Sequence, residues 1–384
     1  MYQLNLGELS LADFMRQYWQ KQPLLIKQGF KNFQDPLSAN ELAGLALEDD
    51  VESRLVECRD GNWQLETGPF EDFSRYGDKD WTILVQAVDH WHPPAAELIE
   101  PFRFIPNWRI DDLMVSFSTP GGGVGPHLDQ YDVFIIQGEG KRHWRVGMPD
   151  ASLKQFCPHP RLLQVTPFTA CIDVIMEPGD ILYIPPGCPH EGISLENSLN
   201  YSVGFRAPAQ KDLLTGLADY LLDNDISGKR FSDPDRNLTG NIGAISEQDL
   251  DQVQQLLVQL VSDRDTLPLW FGQYITQAKH ELDQQEPDPH YQAEEIAEYL
   301  EEGSVLARLG GLRCCYYQAT DNSDIQLFIN GNNIVLPAEE LTTTQLLCDS
   351  KRIDQQQCLH FTAREERLLL ITDLINQGLW YFEE

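Results

Sequence analysis

The order of hydrophobic and polar residues divides the chain into a strand-rich part and a later helical part. Between residues 113 and 205, short runs rich in β-branched and aromatic residues alternate with turns built from glycine and proline. Short strands separated in this way predict a β-sandwich or barrel. The predicted strands read LMVSFS, DVFIIQ, RHWRVG, ILYIP and NYSVGF, and the turns read PGGGVGP, GEGK, EPGD and PPGCP.

The pattern changes to helical spacing after residue 210. Apolar residues that recur every three or four positions predict helices over 211–224, 247–262 and 267–283. The remaining chain mixes both periods and carries a hairpin signal at Asn330 and Gly331. We therefore predict a mainly β plus α protein with three domains: a β-rich domain at 1–208, a helical domain at 209–285 and a small α+β domain at 286–384.

The charge of the chain restricts its partners. Sixty Asp and Glu residues against 28 Lys and Arg give a net charge of −32, which repels phosphate backbones and anionic lipid. We expect no direct nucleic acid and no membrane contact, and an attraction for a basic protein. The eight cysteines form no CxxC pair, and no apolar run reaches the length of a membrane span. These features favour a reduced, soluble, cytoplasmic protein.

Two segments of the β-rich domain carry the residue types of a metal site. His127 and Asp129 are two positions apart, so on an extended chain both side chains point to one face. Sixty residues later, the segment from Gly179 ends a strand in a Pro-Gly turn that presents His190. An HxD pair alone is a weak signal, and its simplest explanation is a surface pair plus a turn histidine. Joined to the second segment it becomes specific.

Two imidazoles and one carboxylate would leave about three coordination positions of an ion open, as in non-haem Fe(II) oxygenases. A structural zinc site would instead close all four positions, usually with thiolates. We therefore predict that His127, Asp129 and His190 bind a catalytic metal. Residue types alone leave iron, manganese and nickel as alternatives.

These segments resemble the two cupin motifs, with Asp129 at a position where cupins usually have histidine. That variant, together with the stretch HLDQYDVFIIQGEGKRHWRV, resembles the JmjC group of 2-oxoglutarate oxygenases. More closely, WRIDDLMVSFSTPGGGVGPHLDQYDVFIIQG, IPPGCPHEG and NYSVGFRAP are similar to the bacterial ribosomal oxygenases, which hydroxylate an arginine of large ribosomal subunit protein 16. The resemblance extends over the whole chain and is dense only before about residue 210.

The resemblance implies a fold and an activity. It implies a double-stranded β-helix catalytic domain, a helical dimerisation domain and a C-terminal winged-helix-like domain. It implies a dioxygenase with Fe(II) as cofactor and 2-oxoglutarate and O2 as cosubstrates. Such an enzyme would hydroxylate an arginine side chain at C3 in a basic ribosomal protein of the large subunit and release succinate and CO2. It would form a homodimer.

Three further residues are candidates for binding 2-oxoglutarate. Arg142 lies where JmjC relatives place a basic residue, and arginine can bind a carboxylate with two parallel hydrogen bonds. Its neighbour Lys141 should face the other side of the strand and is the alternative. Ser116 and Ser118 share one strand face, and Ser118 matches the family better as a carboxylate partner. Asn200 is a candidate for the metal-bound end, or else a polar residue satisfied inside the sandwich.

Other functions remain open from the sequence. A JmjC-type protein demethylase would use the same metal and cosubstrate. A cupin metalloenzyme acting on a small metabolite would use the same ligands without 2-oxoglutarate, and would not need Arg142. A non-catalytic adaptor would have no need of an open coordination site. The apolar faces of the predicted helices over 211–283 would pack either against a second copy of the chain in a dimer or against the β domain.

Overall fold

Alternating side chains along thirteen antiparallel strands build the first part of the protein. The structure, a computed structural model, describes residues 2–238, 240–320 and 323–383. The strands are β1 Leu24–Ile26, β2 Ser53–Arg59, β3 Asn62–Thr67, β4 Trp81–Val85, β5 Ile110–Ser118, β6 Val133–Gln137, β7 Arg142–Gly147, β8 Gln155–His159, β9 Leu162–Val165, β10 Ala170–Met176, β11 Ile181–Ile184, β12 His190–Ser194 and β13 Ser198–Phe205.

Eight of these strands form one sheet in the order β1-β11-β6-β13-β5-β4-β2-β3, and a second sheet has the order β10-β7-β12. The hairpin β8-β9 forms a separate two-stranded sheet, and β8 contacts β3 of the large sheet. All pairs in the two sheets are antiparallel. The predicted sandwich of short strands is therefore present, and each of the five strand runs named from the sequence coincides with a strand.

The outer face of the large sheet carries the main core. Because successive side chains of a strand point to opposite faces, odd positions of β13 and even positions of β6 share this face. Phe134 and Tyr183 have ring centroids 4.9 Å apart, and Phe134 lies 5.8 Å from Phe205. The N-terminal segment covers them, since Phe14 lies 5.0 Å from Tyr183. Burial of this aromatic group fixes the sheet against the N-terminal helices.

The opposite face of the large sheet packs against the second sheet. Val133 and Ile135 of β6 meet Trp144 and Val146 of β7 in a separate apolar cluster. This face is only partly filled by apolar side chains, and a pocket opens beside the cluster. The register of the strands therefore decides which polar side chains enter the pocket.

Short helices connect and cover these strands: α1 Leu11–Gln17, α2 Ala39–Leu45, α3 Val88–Trp91 and α4 Pro93–Ala96. Ser38 and Glu41 form a capping box at the start of α2, because each side chain bonds the other residue's backbone N–H. His90 belongs to α3 and His92 is the N-cap of α4, and among the described residues neither histidine is part of a metal-binding cluster.

The rest of the chain contains helices α5 Gln210–Asp223, α6 Glu247–Val261, α7 Thr266–Thr276, α8 Ala293–Glu301, α9 Leu341–Asp349, α10 Gln355–Thr362 and α11 Glu365–Asn376, and strands β14 Leu306–Arg308, β15 Cys314–Tyr317, β16 Ile325–Ile329, β17 Asn332–Leu336, β18 Arg352–Ile353 and β19 Trp380–Phe382. One compact unit comprises residues 1–207, 278–312 and 349–384, and the other comprises 208–277 and 313–348. The domain ranges 1–208, 209–285 and 286–384 stay a prediction.

Two helical elements differ from the sequence-based expectation. The helix expected over 267–283 ends at Thr276, because residues 279–281 are held instead by partners from the β-rich part. Nine carboxylates and no Lys or Arg over 281–303 predict a linker followed by an exposed helix, yet Ile296 and Leu300 of α8 are fully buried. No helix in the described part of the chain is long and apolar enough to cross a membrane.

Candidate metal centre and its pocket

His127, Asp129 and His190 converge on one point of the pocket between the two sheets. His190 begins β12, whereas His127 lies in the irregular segment between β5 and β6. The backbones of the two histidines form an isolated antiparallel bridge, in which each N–H donates to the other's carbonyl at 3.0 Å. One ligand atom of each of the three side chains lies within 4.8 Å of the others. Within the described ranges, no other group of His, Cys, Asp or Glu side chains has this spacing.

Hydrogen bonds fix the protonation of both imidazoles. Nδ1 of His127 lies 3.0 Å from the carbonyl of Gly125, and Nδ1 of His190 lies 3.0 Å from the carbonyl of Cys188. A carbonyl can only accept, so each Nδ1 carries the proton and each Nε2 keeps a free lone pair. Burial, and next the repulsion that would arise if His127 were also protonated, lowers the pKa of His190 to about 4. Both features suit neutral imidazoles that ligate a metal through Nε2.

Asp129 completes the set from the open side. Its carboxylate Oδ2 lies 3.5 Å from Nε2 of His190, and its side chain is partly exposed. Its backbone carbonyl accepts a hydrogen bond of 2.8 Å from the N–H of Gly187, in the Pro-Gly turn where Gly187 has a φ of +77°. The donor set fits a divalent ion such as Fe(II), which these three side chains would hold while leaving coordination positions open for other ligands.

Arg142 is a buried cation in the same pocket, and within the described part of the chain no carboxylate pairs with it. The residue is 5% exposed, and its guanidinium bonds hydroxyl groups: Nη2 donates to Ser118 at 2.6 Å and to Ser198 at 3.3 Å. Its Nε has no hydrogen-bond partner in the part of the chain that the structure describes. Burial lowers the pKa of Arg142 to about 9, so it is cationic at neutral pH. An unpaired buried charge costs several kcal/mol unless an anion enters.

The neighbouring Lys141 has a different environment. Its Nζ lies 2.7 Å from Glu177 Oε1, and both side chains are about half exposed. Lys141 is therefore on the outer face of β7, as expected from the alternation along a strand. Between the two residues, only Arg142 lines the pocket.

Ser118 and Asn200 are both buried, and Ser118 contacts Arg142, although Ser116 and not Ser118 is the β5 serine that lines the pocket. Ser118 also bonds Thr82 at 2.7 Å, so its position is fixed from two sides. The Nδ2 group of Asn200 donates to Gln137 Oε1 at 3.0 Å, while Gln137 Nε2 donates to the carbonyl of Leu199 at 3.2 Å. This chain of bonds orients the Asn200 amide. Its Oδ1 is buried without a partner in the residues described, and Asn200 lines the pocket.

Two adjacent carboxylates line the pocket because of a β-bulge that the sequence analysis missed. In the pairing of β5 with β13, Leu113 faces Val203 and Ile110 faces Phe205, so that Asp111 and Asp112 together oppose Gly204. A bulge of this kind turns successive side chains toward the same side. Both carboxylates line the pocket. The available signal was an Asp-Asp pair at a strand start opposite a glycine.

The two carboxylates have opposite charge environments. Asp111 is paired with Lys279, whose Nζ lies 2.8 Å from both carboxylate oxygens, and with Arg206, whose Nε lies 3.0 Å from Oδ1. Asp112 accepts from the N–H of Ala87 at 3.0 Å, and no lysine or arginine within the described ranges forms an ion pair with it. Burial, then the charges of Asp89 and Asp111, raises the pKa of Asp112 to about 6.

The pocket has a volume of about 490 Å³. Its lining includes Met114, Tyr131, Trp144, Lys279 and His280 in addition to the residues above. Among the described residues, one cavity thus combines a metal-binding cluster, a buried cation lacking an anion and a buried carboxylate lacking a cation. Such a cavity can bind an ion, an anionic small molecule and a cationic side chain together.

Comparisons with known proteins match two parts of the chain to known families and the whole chain to known relatives. A family model described as JmjC domain matches residues 97–213, and one described as ROXA-like winged helix matches residues 249–381. The chain is 48% identical over 382 residues to the ribosomal protein uL16 3-hydroxylase of Escherichia coli strain K12, covering 100% of this chain and 99% of that protein. It is 31% identical to a probable ribosomal oxygenase of Haemophilus influenzae, covering 83% and 80% of the two chains.

Solved structures show the same similarity. The X-ray structure of E. coli YcfD superposes with a TM-score of 0.91 at 48% identity, covering 100% of both chains. A structure of that ribosomal oxygenase in complex with cobalt and 2-oxoglutarate gives a TM-score of 0.88 at 46% identity, again over 100% of both chains. The comparisons confirm the predicted fold class, a JmjC β domain with a C-terminal winged helix.

The geometry predicts binding of one divalent ion, which Mn2+ can report by calorimetric titration. His190→Ala should weaken Mn2+ affinity by at least about 100-fold, because losing a ligand costs no less than losing one of its outer-shell partners. His143→Ala is the matched control, since His143 is a more exposed histidine paired with Asp173 outside the cluster. Equal affinity in the His190 variant and the wild type would contradict the assignment.

Proposed function

The chain belongs to the JmjC-domain family of ribosomal oxygenases, and from this premise we propose that it hydroxylates an arginine side chain of the ribosomal protein uL16 at C3. It is a 2-oxoglutarate-dependent oxygenase. The reaction consumes 2-oxoglutarate and O2 and yields succinate, CO2 and the hydroxylated side chain. One oxygen atom of O2 enters the C–H bond, and the other enters succinate.

The observation that carries this proposal is the presence of three complementary sites in one cavity. His127, Asp129 and His190 would hold Fe(II), which supplies the oxidising chemistry with O2 when bound. Arg142 would bind the distal carboxylate of 2-oxoglutarate, assisted by the hydroxyl of Ser118. An anion at this point offsets the desolvation of the guanidinium, whose described hydrogen-bond partners are neutral hydroxyls.

Asn200 has a more specific role in this proposal than in the sequence-based one. Its amide oxygen is the atom without a partner among the described residues, and this atom accepts hydrogen bonds and repels a carboxylate. Asn200 would therefore bind the cosubstrate end through a water molecule, or bind a donor group of the substrate. Trp144 and the apolar side chains of β6 would keep bulk water from the opposite wall.

The cationic substrate side chain would pair with Asp112. The carboxylate is buried, lacks an ion-pair partner in the part of the chain that the structure describes, and lines the pocket together with the metal cluster. Met114 and Tyr131 line the pocket too, and would contact the methylene stem of an arginine. A guanidinium matches a carboxylate with two parallel hydrogen bonds, which favours arginine over lysine.

The net charge of −32 supports attraction of a basic ribosomal protein and absence of direct nucleic acid binding. We also propose a homodimer. α6 has no buried residue, and its exposed apolar side chains at 250, 253, 257, 258 and 261 follow a helical stripe that a second copy would cover. A cytoplasmic location would bring the enzyme to the ribosome.

The activity is tested by incubating the protein with recombinant uL16, Fe(II), 2-oxoglutarate and O2. We expect the intact mass of uL16 to increase by one oxygen, at an arginine identified by fragmentation, with matching succinate release. A demethylase would instead remove a methylene unit from a methylated substrate. A metabolite-directed cupin would leave uL16 unchanged and would not need 2-oxoglutarate, and an adaptor would release no succinate.

Arg142→Met should raise the KM for 2-oxoglutarate by at least about 10-fold, because hydrogen bonds to a charged group contribute about 1.5–3 kcal/mol each. Lys141→Met is the matched control, since Lys141 is adjacent in sequence but pairs with Glu177 on the outer face. Succinate release at varied 2-oxoglutarate gives both KM values. An equal increase in both variants would indicate a general charge effect rather than a carboxylate site.

Binding of an arginine peptide from uL16 to the Mn2+-loaded protein should strengthen as the pH rises through about 6. Above this value Asp112 is ionised and can pair with the guanidinium, and below it the carboxyl is neutral. Asp112→Asn should weaken binding at pH 7.5 by at least about 10-fold and abolish this pH dependence. Asp89→Asn should move the midpoint to lower pH by removing a neighbouring negative charge; no movement would contradict the assignment.

A further inference from the structure

Residues 279–281 form a strap along the pocket wall. Lys279 and His280 line the pocket, although they follow α7 in the chain, far from the JmjC motifs. Three contacts hold the strap: Lys279 to Asp111, His280 Nδ1 to Glu52 Oε2 at 3.1 Å, and the carbonyl of Glu281 to His90 Nδ1 at 2.8 Å. The strap therefore belongs to the wall of the substrate pocket.

Because of the bulge in β5, two carboxylates in the pocket could each bind a cationic substrate side chain. Asp111 and Asp112 are adjacent in the chain, with Cα atoms about 3.8 Å apart, and both line the pocket. A guanidinium on the wrong carboxylate would shift the target carbon by far more than the ~1 Å misplacement that costs about 100-fold in rate. The bulge thus creates a need for selection between the two.

Lys279 is placed to make that selection. Its Nζ contacts both oxygens of Asp111 at 2.8 Å, whereas Arg206 Nε contacts Oδ1 at 3.0 Å. Arg206 is a buried side chain, while the side chain of Lys279 is 52% exposed. Arg206 therefore binds Asp111 from the buried side of the wall, and Lys279 binds it from the solvent side.

We propose that Lys279 is a specificity-determining residue, which occupies Asp111 so that the substrate cation pairs with Asp112. This proposal rests on the proposed function, since it concerns the same pocket and the same cationic side chain. Lys279 acts through Asp111 and is not a catalytic residue. Its effect is on the position of the bound side chain, and therefore on how many turnovers of 2-oxoglutarate lead to a hydroxylated product.

The test is the ratio of hydroxylated uL16 to succinate formed by the Fe(II)-loaded enzyme. Lys279→Met should lower this ratio by up to about twofold, because Asp111, then held only by Arg206, would compete with Asp112 for the substrate cation, and a twofold fall corresponds to equal division between the two. The affinity of the metal-free protein for the uL16 peptide should not weaken, since the pocket loses a positive charge. Lys279→Arg should keep the wild-type ratio because it retains the cation.

The double variant Asp111→Asn with Lys279→Met should restore the ratio, since the competing carboxylate is gone and the amide oxygen introduced in its place would still accept from Arg206. Lys27→Met is the matched control: Lys27 pairs with Asp180, its side chain is 53% exposed, and it does not line the pocket. Its ratio should equal that of the wild type.

An unchanged ratio in Lys279→Met, or an equally low ratio in the double variant, would overturn the proposal. A parallel fall in succinate and hydroxylation with weaker peptide binding would also overturn it, because that result indicates a structural role only. Failure of the wild-type enzyme to hydroxylate uL16 would instead contradict the proposed function itself. The two failures are therefore distinguishable.

Discussion

Two backbone hydrogen bonds between His127 and His190 are the contact on which the rest of the site depends. They join an irregular segment to the first residue of β12 at 3.0 Å in each direction, and so place two imidazoles from distant parts of the chain side by side. The Nδ1 bonds to Gly125 and Cys188 then set the tautomer of each ring. Backbone geometry thus prepares the ligands before any ion binds.

Around this centre, the pocket contains a buried cation and a buried carboxylate that are not paired with each other. Buried charges in proteins are usually paired, because desolvation of a single ion is costly. Among the described hydrogen-bond partners, Arg142 has only hydroxyls and Asp112 has only a backbone N–H. In the proposed function, a diacid and a cationic side chain would offset these two costs. Burial of the two unpaired charges lowers the folding stability of the free protein, and binding of the two ligands would recover part of that free energy.

The large sheet can carry these unpaired charges because one of its faces forms the apolar core and the other lines the pocket. The outer face buries a continuous aromatic core with Phe134, Tyr183 and Phe205. The inner face is free to carry Asn200, Arg142's serine partners and the carboxylates of the bulge. Strand alternation separates the two sets, and the bulge adds the second carboxylate to the inner face. Polar residues on the inner face therefore do not interrupt the main core.

The sequence by itself determined the strands, the three side chains that converge at the candidate metal centre, the inward position of Arg142 and the family, because these follow from local periodicity and from motifs of fixed spacing. Only the tertiary structure decided that Asp111 and Asp112 both enter the pocket, since a bulge depends on the register with β13. It also decided that residues 279–281 leave the helical pattern, because partners distant in sequence, Asp111, Glu52 and His90, hold them. Contacts between residues so distant in sequence produce no hydrophobic periodicity from which they could be predicted.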